Sequence, residues 1–322
     1  MVAILAVGTL VVSQATWTVV DSGTTENLKA IAFTWAYDGT AVAVGSNGTI
    51  LRTSDGGISW APVPGPPGYY LWSVAFFDGL VGVISGTAVT GNILLRTEDA
   101  GLTWSTVAEG QDAPALYGIS PVGSLDAWAF GLQTTDGGFT WNPTCLPGPV
   151  AGGDANTALS FRQWSRPWCF GSCIGTVYGA TIYRTRDGGQ TCEEVWMGAT
   201  AMIPYGYPPP PPFLSGILYV DWDRAIAYGH GEVETRDAGQ TWALGGTFPD
   251  FTAGAMSFSY DAVHGIAVGT PAGTVFRAPG DFGQEWTAEP VPTDSALNSV
   301  WVVDESLALA VGDNGTILRR AP

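Results

Sequence analysis

The chain has 322 residues, 29 of them acidic and 12 basic, for a formal net charge of −17. Such a surface repels phosphate backbones and anionic lipid, which excludes nucleic acid and polybasic membrane docking from the expected partners. With 44 glycines, 14 tryptophans and only 13% charged residues, the composition suits many tight turns around aromatic packing.

The first segment, MVAILAVGTLVVS, is apolar but too short to span a bilayer. Ser13-Gln14-Ala15 has the small-x-small form of a cleavage site, yet the basic region that opens a signal peptide is missing. Its LAVGTLVVS looks like the LAVGDNGTILRR that ends at residue 320 with the turn shortened. Residues 1–14 are therefore expected to be an apolar strand segment, open to closure or docking, ahead of a single domain over 15–322. ATWTVV (15–20) reads as a strand that follows a turn.

From residue 28 a unit begins that the rest of the chain repeats. LKAIAF (28–33) is an apolar strand, AVAVGSNGTILRT (41–53) a hairpin, and TSDGGISW (53–60) a turn closed by a tryptophan. The last pattern, Thr-x-Asp-x-Gly-x-x-Trp, returns as TEDAGLTW (97–104), TTDGGFTW (134–141) and TRDAGQTW (235–242). TRDGGQTC (185–192) replaces the tryptophan by cysteine, and PGDFGQEW (279–286) keeps only Asp281, Gly283 and Trp286. The flanking strands return too, as LWSVAFF (71–77), AMSFSY (255–260) and LNSVWVV (297–303), with hairpins at 265–278 and 308–320. Asn47-Gly48 and Asn314-Gly315 suit two-residue type I′ turns, which also accounts for the two glycosylation sequons that begin there.

Each unit holds about four strands, and the spacing of roughly 40 to 50 residues is that of a four-stranded propeller blade. Sustained helical periodicity is absent, so the chain is expected to be all-β. Six units fall at 28–63, 71–107, 116–144, 157–197, 215–245 and 255–289. A seventh, 297–320, lacks its last strand, which ATWTVV can supply. The expectation is a seven-bladed β-propeller of four-stranded antiparallel blades, closed by strands from both termini so that no sheet edge is left open.

The Asp-containing turn resembles the Asp-box (BNR) repeat. The resemblance implies that the box joins the third and fourth strands of a blade, away from the ligand-binding face. The residues agree: Asp55 can accept from N–H groups of its own turn, Gly57 can take a positive φ, and Trp60 can fold under the hairpin. A group that does chemistry is needed once, whereas these recur. Asp55 and Trp60, Asp99 and Trp104, Asp136 and Trp141, Asp187, Asp237 and Trp242, and Asp281 and Trp286 are therefore read as structural.

Cys145, Cys169, Cys173 and Cys192 form an even, local cluster, which suggests disulfides between the third and fourth units with three possible connectivities. A zinc site and free buried thiols are the alternatives, and Cys192, in the box tryptophan position, could replace the ring as a small hydrophobe or in a disulfide.

Asp-box enzymes include sialidases, but the Arg-Ile-Pro motif that this resemblance requires is absent. Arg52, Arg96, Arg184, Arg277 and Arg319 recur at one strand position, which marks them as part of the blade. A glycoside hydrolase needs only two facing carboxylates, for which Asp126, Asp221, Asp223, Glu232 and Asp261 are candidates without distinguishing spacing. Asp221-Trp222-Asp223 lacks the further ligands of a calcium cage, and His230 and His264 have no nucleophile beside them. No metal and no cofactor is expected.

Function is more readily sought in the connections between units. APVPGPPGYYLW (61–72) and MIPYGYPPPPPFL (202–214) combine proline with aromatics, and Tyr69, Tyr70, Tyr205, Tyr207 and Phe213 could dock protein or stack on sugar. The plainer reading is proline keeping long loops ordered. The segment VGSNGTILRTSDGGISW is also similar to the photosystem II assembly and stability factors of cyanobacteria and plastids, a resemblance that implies a basic arginine patch facing the partner. The leading expectation is a non-catalytic interaction module in a larger assembly, binding protein and in some settings glycan, located outside the cell, on its surface or on a virus particle. A secreted glycoside hydrolase is the alternative and a photosystem II assembly factor the third.

Overall fold

A computed structural model describes residues 15–34, 38–116, 118–129, 131–145, 159–160, 173–177, 181–185, 189–197, 214–220, 223–229, 231–245, 251–278 and 286–322. The expectations for residues 1–14, Cys169, Asp187, Tyr205, Tyr207, Phe213, Asp221, His230 and Asp281 lie outside these residues, as does the side chain of Cys173.

After β1 (Thr16–Val20), the chain runs through β2–β5 (Leu28–Phe33, Ala41–Gly45, Ile50–Thr53, Ala61–Val63) and β6–β9 (Tyr70–Phe76, Gly82–Ala88, Gly91–Thr97, Ser105–Gly110). Next come β10–β13 (Ser120–Pro121, Ala127–Ala129, Leu132–Thr134, Asn142–Pro143) and β14–β17 (Leu159–Ser160, Cys173–Val177, Thr181–Thr185, Cys192–Met197). They are followed by β18–β21 (Leu214–Tyr219, Ala225–Gly229, Gly231–Thr235, Ala243–Leu244) and β22–β25 (Thr252–Phe258, Gly265–Thr270, Thr274–Arg277, Thr287–Glu289). The last three strands are β26–β28 (Leu297–Val302, Ala308–Gly312, Ile317–Ala321). Each group of four is an antiparallel meander, here lettered A to D from the inner strand outwards, and β1 pairs with β28 to complete the last sheet.

The AVAVG and ALAVG runs are the B strands β3 and β27, and all ten of their residues are buried. A B strand is covered on both faces by neighbouring blades, which is why these runs are continuously apolar instead of alternating. Blades meet through apolar cores. Val42, Val44 and Ile50 pack with Leu71, Ile84 and Ile93, and Val83 and Leu94 pack with Ala127 and Ala129. Leu309, Val311 and Ile317 pack with Ile31, Phe33 and Leu51 across the join between the last and first blades. Each of the valine, leucine, isoleucine and phenylalanine side chains among them contributes about 2 kcal/mol when fully removed from water.

Closure by both termini is held by more than the ladder. Along the register from Thr16 opposite Ala321 to Val20 opposite Ile317, β1 supplies the strand that the last unit lacks. Trp17 Nε1 donates to Glu289 Oε2 at 2.8 Å, and the same carboxylate pairs with Arg277 and Arg320 at 3.1 Å. Strand β1 is thus tied to the preceding blade as well as to its own.

The blade count corrects the sequence expectation of a seven-bladed propeller: six blades are complete, with described side chains in every strand. The stretch 159–197 pairs as a four-stranded ladder, but neither its A strand, β14, nor its B strand, β15, has a described side chain. Its described apolar side chains, Ile182 and Val195, pack against Ile217 and Val233 of the next blade. The repeat of box and hairpin assigns a unit to this stretch, whereas a complete blade needs an inner strand packed on both neighbours.

The junction of this ladder with β10–β13 is also built differently. The Cys145–Cys192 disulfide crosses it with a Cα–Cα distance of 5.5 Å, and Cys145 N–H donates to Gly189 O at 2.8 Å. Trp128, fully buried, lies against Gly189. In three other boxes the equivalent glycine meets Leu309, Val42 or Val83. A larger side chain fills this junction in the one box whose own tryptophan has become cysteine.

Candidate functional site

The A–B and C–D turns share one end of the blades, and the B–C turns and D–A connections share the other. At the first end the boxes repeat one arrangement. Asp55 Oδ1 accepts from Ile58 N–H at 2.9 Å, Ser59 N–H at 3.0 Å and Thr53 Oγ1 at 2.7 Å, while Oδ2 accepts from Ser59 Oγ at 2.6 Å. Thr53 Oγ1 in turn accepts from Gly57 N–H at 3.1 Å. Asp136 and Asp237 make the same set, and Asp99 repeats it through Thr97 and Thr103. Burial alone would raise the Asp55 carboxyl, but the donors from Ser59, Thr53 and Ile58 outweigh it and hold it at about 2. The Thr241 hydroxyl and N–H hold Asp237 at about 2 against a smaller opposing effect of burial.

The box also explains the recurrent arginines. Arg52, Arg96 and Arg319 each donate Nε at 2.8 Å to a box carbonyl of the next blade, those of Ala100, Gly137 and Gly56 respectively. Arg184 pairs with Glu193 and Arg236 with Glu234, and Arg224 also has a partner. All the described arginines are therefore engaged, and the basic patch that the resemblance to the photosystem II factors implies is not presented by them. The second box glycine combines two demands: Gly57 has φ +82°, and a Cβ there would stand 2.5 Å from Leu309 Cδ2 of the last blade.

The opposite end carries the variable chemistry. Asn47 sits at φ 54°, ψ 32° and Gly48 at φ 70°, with Thr49 N–H donating to Ser46 O at 3.0 Å, the type I′ geometry expected for Asn-Gly. Five A strands then share a register shift at their first turn, between Leu28 and Ala30, Leu71 and Ser73, Leu214 and Gly216, Ala253 and Ala255, and Leu297 and Ser299. The extra residue is Lys29, Trp72, Ser215, Gly254 or Asn298. A bulge re-aims a side chain while the flanking residues keep their ladder. Leu28, Leu71 and Leu297 before it are fully or almost fully buried, and Gly45 and Gly312 opposite leave room for its backbone.

These bulges put different groups at one end of the inner strands. Trp72 stacks on Tyr70 with ring centroids 5.9 Å apart and 19° between planes, and its Nε1 donates to Thr87 Oγ1 at 2.9 Å. Lys29 Nζ pairs with Asp313 at 2.9 Å, and Asn298 Nδ2 donates to the same carboxylate and to Leu28 O, each at 2.8 Å. Burial would raise the Asp313 carboxyl, but the donors from Asn298 and Lys29 bring it below the usual range.

Of the aromatic candidates from sequence, Tyr69 is 7% exposed with its hydroxyl on Glu109 at 2.8 Å, whereas Tyr70 is 52% exposed. The structure pairs Tyr70 with Trp72, 39% exposed, a residue of the same 61–72 loop that is not among the sequence candidates. A signal was present in the repeated Leu-x-small pattern of LKA, LWS, LSG and LNS. The described carboxylate candidates are not brought together. Asp126, Asp223 and Asp261 lie in A–B turns of three different blades, and Glu232 is buried in β20 with Trp286 Nε1 at 3.2 Å.

The chain is similar to known proteins over nearly its whole length. The family model described as photosynthesis system II assembly factor YCF48 matches residues 10–127. The photosystem II assembly lipoprotein Ycf48 of Synechococcus sp. (strain CC9902) is 24% identical over 95% of this chain and 89% of its own. Among solved structures, YCF48 bound to D1 peptide superposes with a TM-score of 0.68 at 19% identity, covering 95% of this chain and 97% of that one. YCF48 from Cyanidioschyzon merolae gives 0.70 at 18% identity, covering 96% and 99%. The chain is an Asp-box propeller similar to these assembly factors. The expected extracellular, cell-surface or virus-particle location is corrected by the Synechococcus relative, whose name is that of a photosystem II assembly lipoprotein.

Proposed function

We propose that this chain is an assembly factor of the photosystem II type, a rigid propeller acting as one unit over 15–322 that holds a segment of a partner protein. The observation that carries this reading is the set of bulges, where one backbone device at the same end of five inner strands displays lysine, tryptophan, serine, glycine and asparagine. Repetition that preserves the backbone while varying the side chain is what recognition of an irregular peptide requires. The full-length similarity to an assembly lipoprotein and to a factor bound to a D1 peptide supports the peptide class of partner. With the described arginines engaged, and Lys29 and the Asn298 amide held on Asp313, affinity rests on the exposed Tyr70–Trp72 stack. Aromatic anchors of this kind commonly dominate binding.

The test is a fluorescence anisotropy titration of labelled D1 peptide against the chain and against Trp72→Ala and Lys29→Met variants. Saturable binding by the parent is expected, with Trp72→Ala weakening it about tenfold or more. No binding by the parent sinks the reading, and full binding by both variants moves the site away from the bulges.

A further inference from the structure

The box ends are not alike around the ring. In three consecutive blades the residue after the second box glycine is apolar and exposed: Ile58 at 63%, Leu102 at 57% and Phe139 at 52%. In the remaining boxes the same position holds Gln190, Gln240 and Gln284. A second position follows the same division. The carbonyl that accepts the box N–H belongs to Leu80 and Leu125, 58% and 50% exposed, in two of those three blades, but to Asp223 in β18–β21. The hairpin forms with glutamine as well as with isoleucine, so its geometry does not require an apolar tip. Single exposed hydrophobes are ordinary, but five on neighbouring turn tips, with polar equivalents elsewhere in the same repeat, form a patch. Tyr260 and Val263, also exposed, lie in the A–B turn of β22–β25, beyond the intervening last blade.

Charge identifies the occupant. Asp55, Asp99 and Asp136 lie beside the tips, held ionised by their own turns, and Glu98 beside them is paired with Arg96. The cations at this end are spent: Arg52, Arg96 and Arg319 face box carbonyls, and Arg96 also covers the Phe139 ring at 4.0 Å. A second copy would set these carboxylates against their like, and a bilayer would desolvate them without a compensating cation. We infer that the arc of Ile58, Leu80, Leu102, Leu125 and Phe139 is a second docking surface, for a protein partner that presents an apolar face fringed by lysine or arginine. The two ends of the propeller then hold two different proteins at once, independently of what the bulges bind.

The test uses the full chain and an Ile58→Gln/Leu102→Gln/Phe139→Gln variant, which copies residues that the chain already carries in other boxes and leaves the charge unchanged. The probes are an amphipathic Leu/Lys helix, a scrambled Leu/Lys peptide without an apolar face, and phosphatidylcholine vesicles. The parent is expected to bind the amphipathic helix about tenfold more tightly than the variant does, with no such difference for the scrambled peptide. Circular dichroism and thermal melting establish that the variant is folded, and should it melt early, Ile58→Gln alone is tested in the same way. Equal binding of the helix by parent and variant overturns the proposal. So does variant-sensitive vesicle binding, which would make the patch a lipid surface, or variant-sensitive self-association, which would make it a contact between copies.

Discussion

The two ends of the same strands differ in how they use their polar groups. At the box end Asp55, Thr53 and the arginine of the preceding blade satisfy one another and the local backbone. At the bulge end Trp72 keeps much of its ring exposed, and Lys29 shares Asp313 with Asn298. A group whose bonding is complete inside the protein can be repeated unchanged from blade to blade. A group that is to meet a partner must vary with it.

This contrast predicts a descending series of effects. The largest belongs to the exceptional box, where Cys192 stands in for tryptophan. Cys145 and Cys192 are 47 residues apart, and replacing both by serine should lower the unfolding free energy by about 4 kcal/mol. Denaturant melts of the parent under oxidising and reducing conditions should bracket that loss, and overlapping curves would show that the junction does not need the bridge. Next is Gly57→Ala, which introduces a Cβ at positive φ and close to Leu309. The combined cost should be about 3 kcal/mol in the same melts, and a cost near zero would mean that the blades can part at no expense.

Asp55→Asn should cost less, about 1 kcal/mol, since an amide oxygen keeps part of the cap. Its signature is pH dependence. The folded carboxyl lies at about 2, below the ordinary 3.8, so its stabilisation is complete above pH 4 and is lost as pH falls towards 2. The variant should therefore lose less stability than the parent between pH 4 and 2, and parallel acid curves would remove the carboxylate from the account. The smallest effect is at the other end, where Trp72→Ala should change stability by less than about 0.5 kcal/mol while abolishing most peptide binding. A large loss of stability there would place Trp72 with the scaffold and erase the division between the two ends.

Much of the architecture was legible in the order of residues because its causes are local. Asn-Gly dictates a type I′ turn, Thr-x-Asp closes on its own backbone, and a run such as AVAVG announces a strand covered on both sides. The missing last strand of the final unit, and its replacement by ATWTVV, followed from counting. Counting also overreached, since a box and hairpin mark a unit whether or not its inner strands complete a blade.

What only the tertiary structure decided are the relations between blades. That Arg96 is consumed by Gly137 of the next box, that Cys145 pairs with Cys192, and that Gly57 must admit Leu309 are contacts across 41, 47 and more than 200 residues. Nor could composition separate Tyr69 from Tyr70, adjacent in the chain, because alternation along a strand sends one into the core and the other to solvent, and the register is set by the neighbouring strand. The repeat, written in short-range turn chemistry, belongs to the sequence; which side chains remain free to act was settled when the blades met and used up the rest.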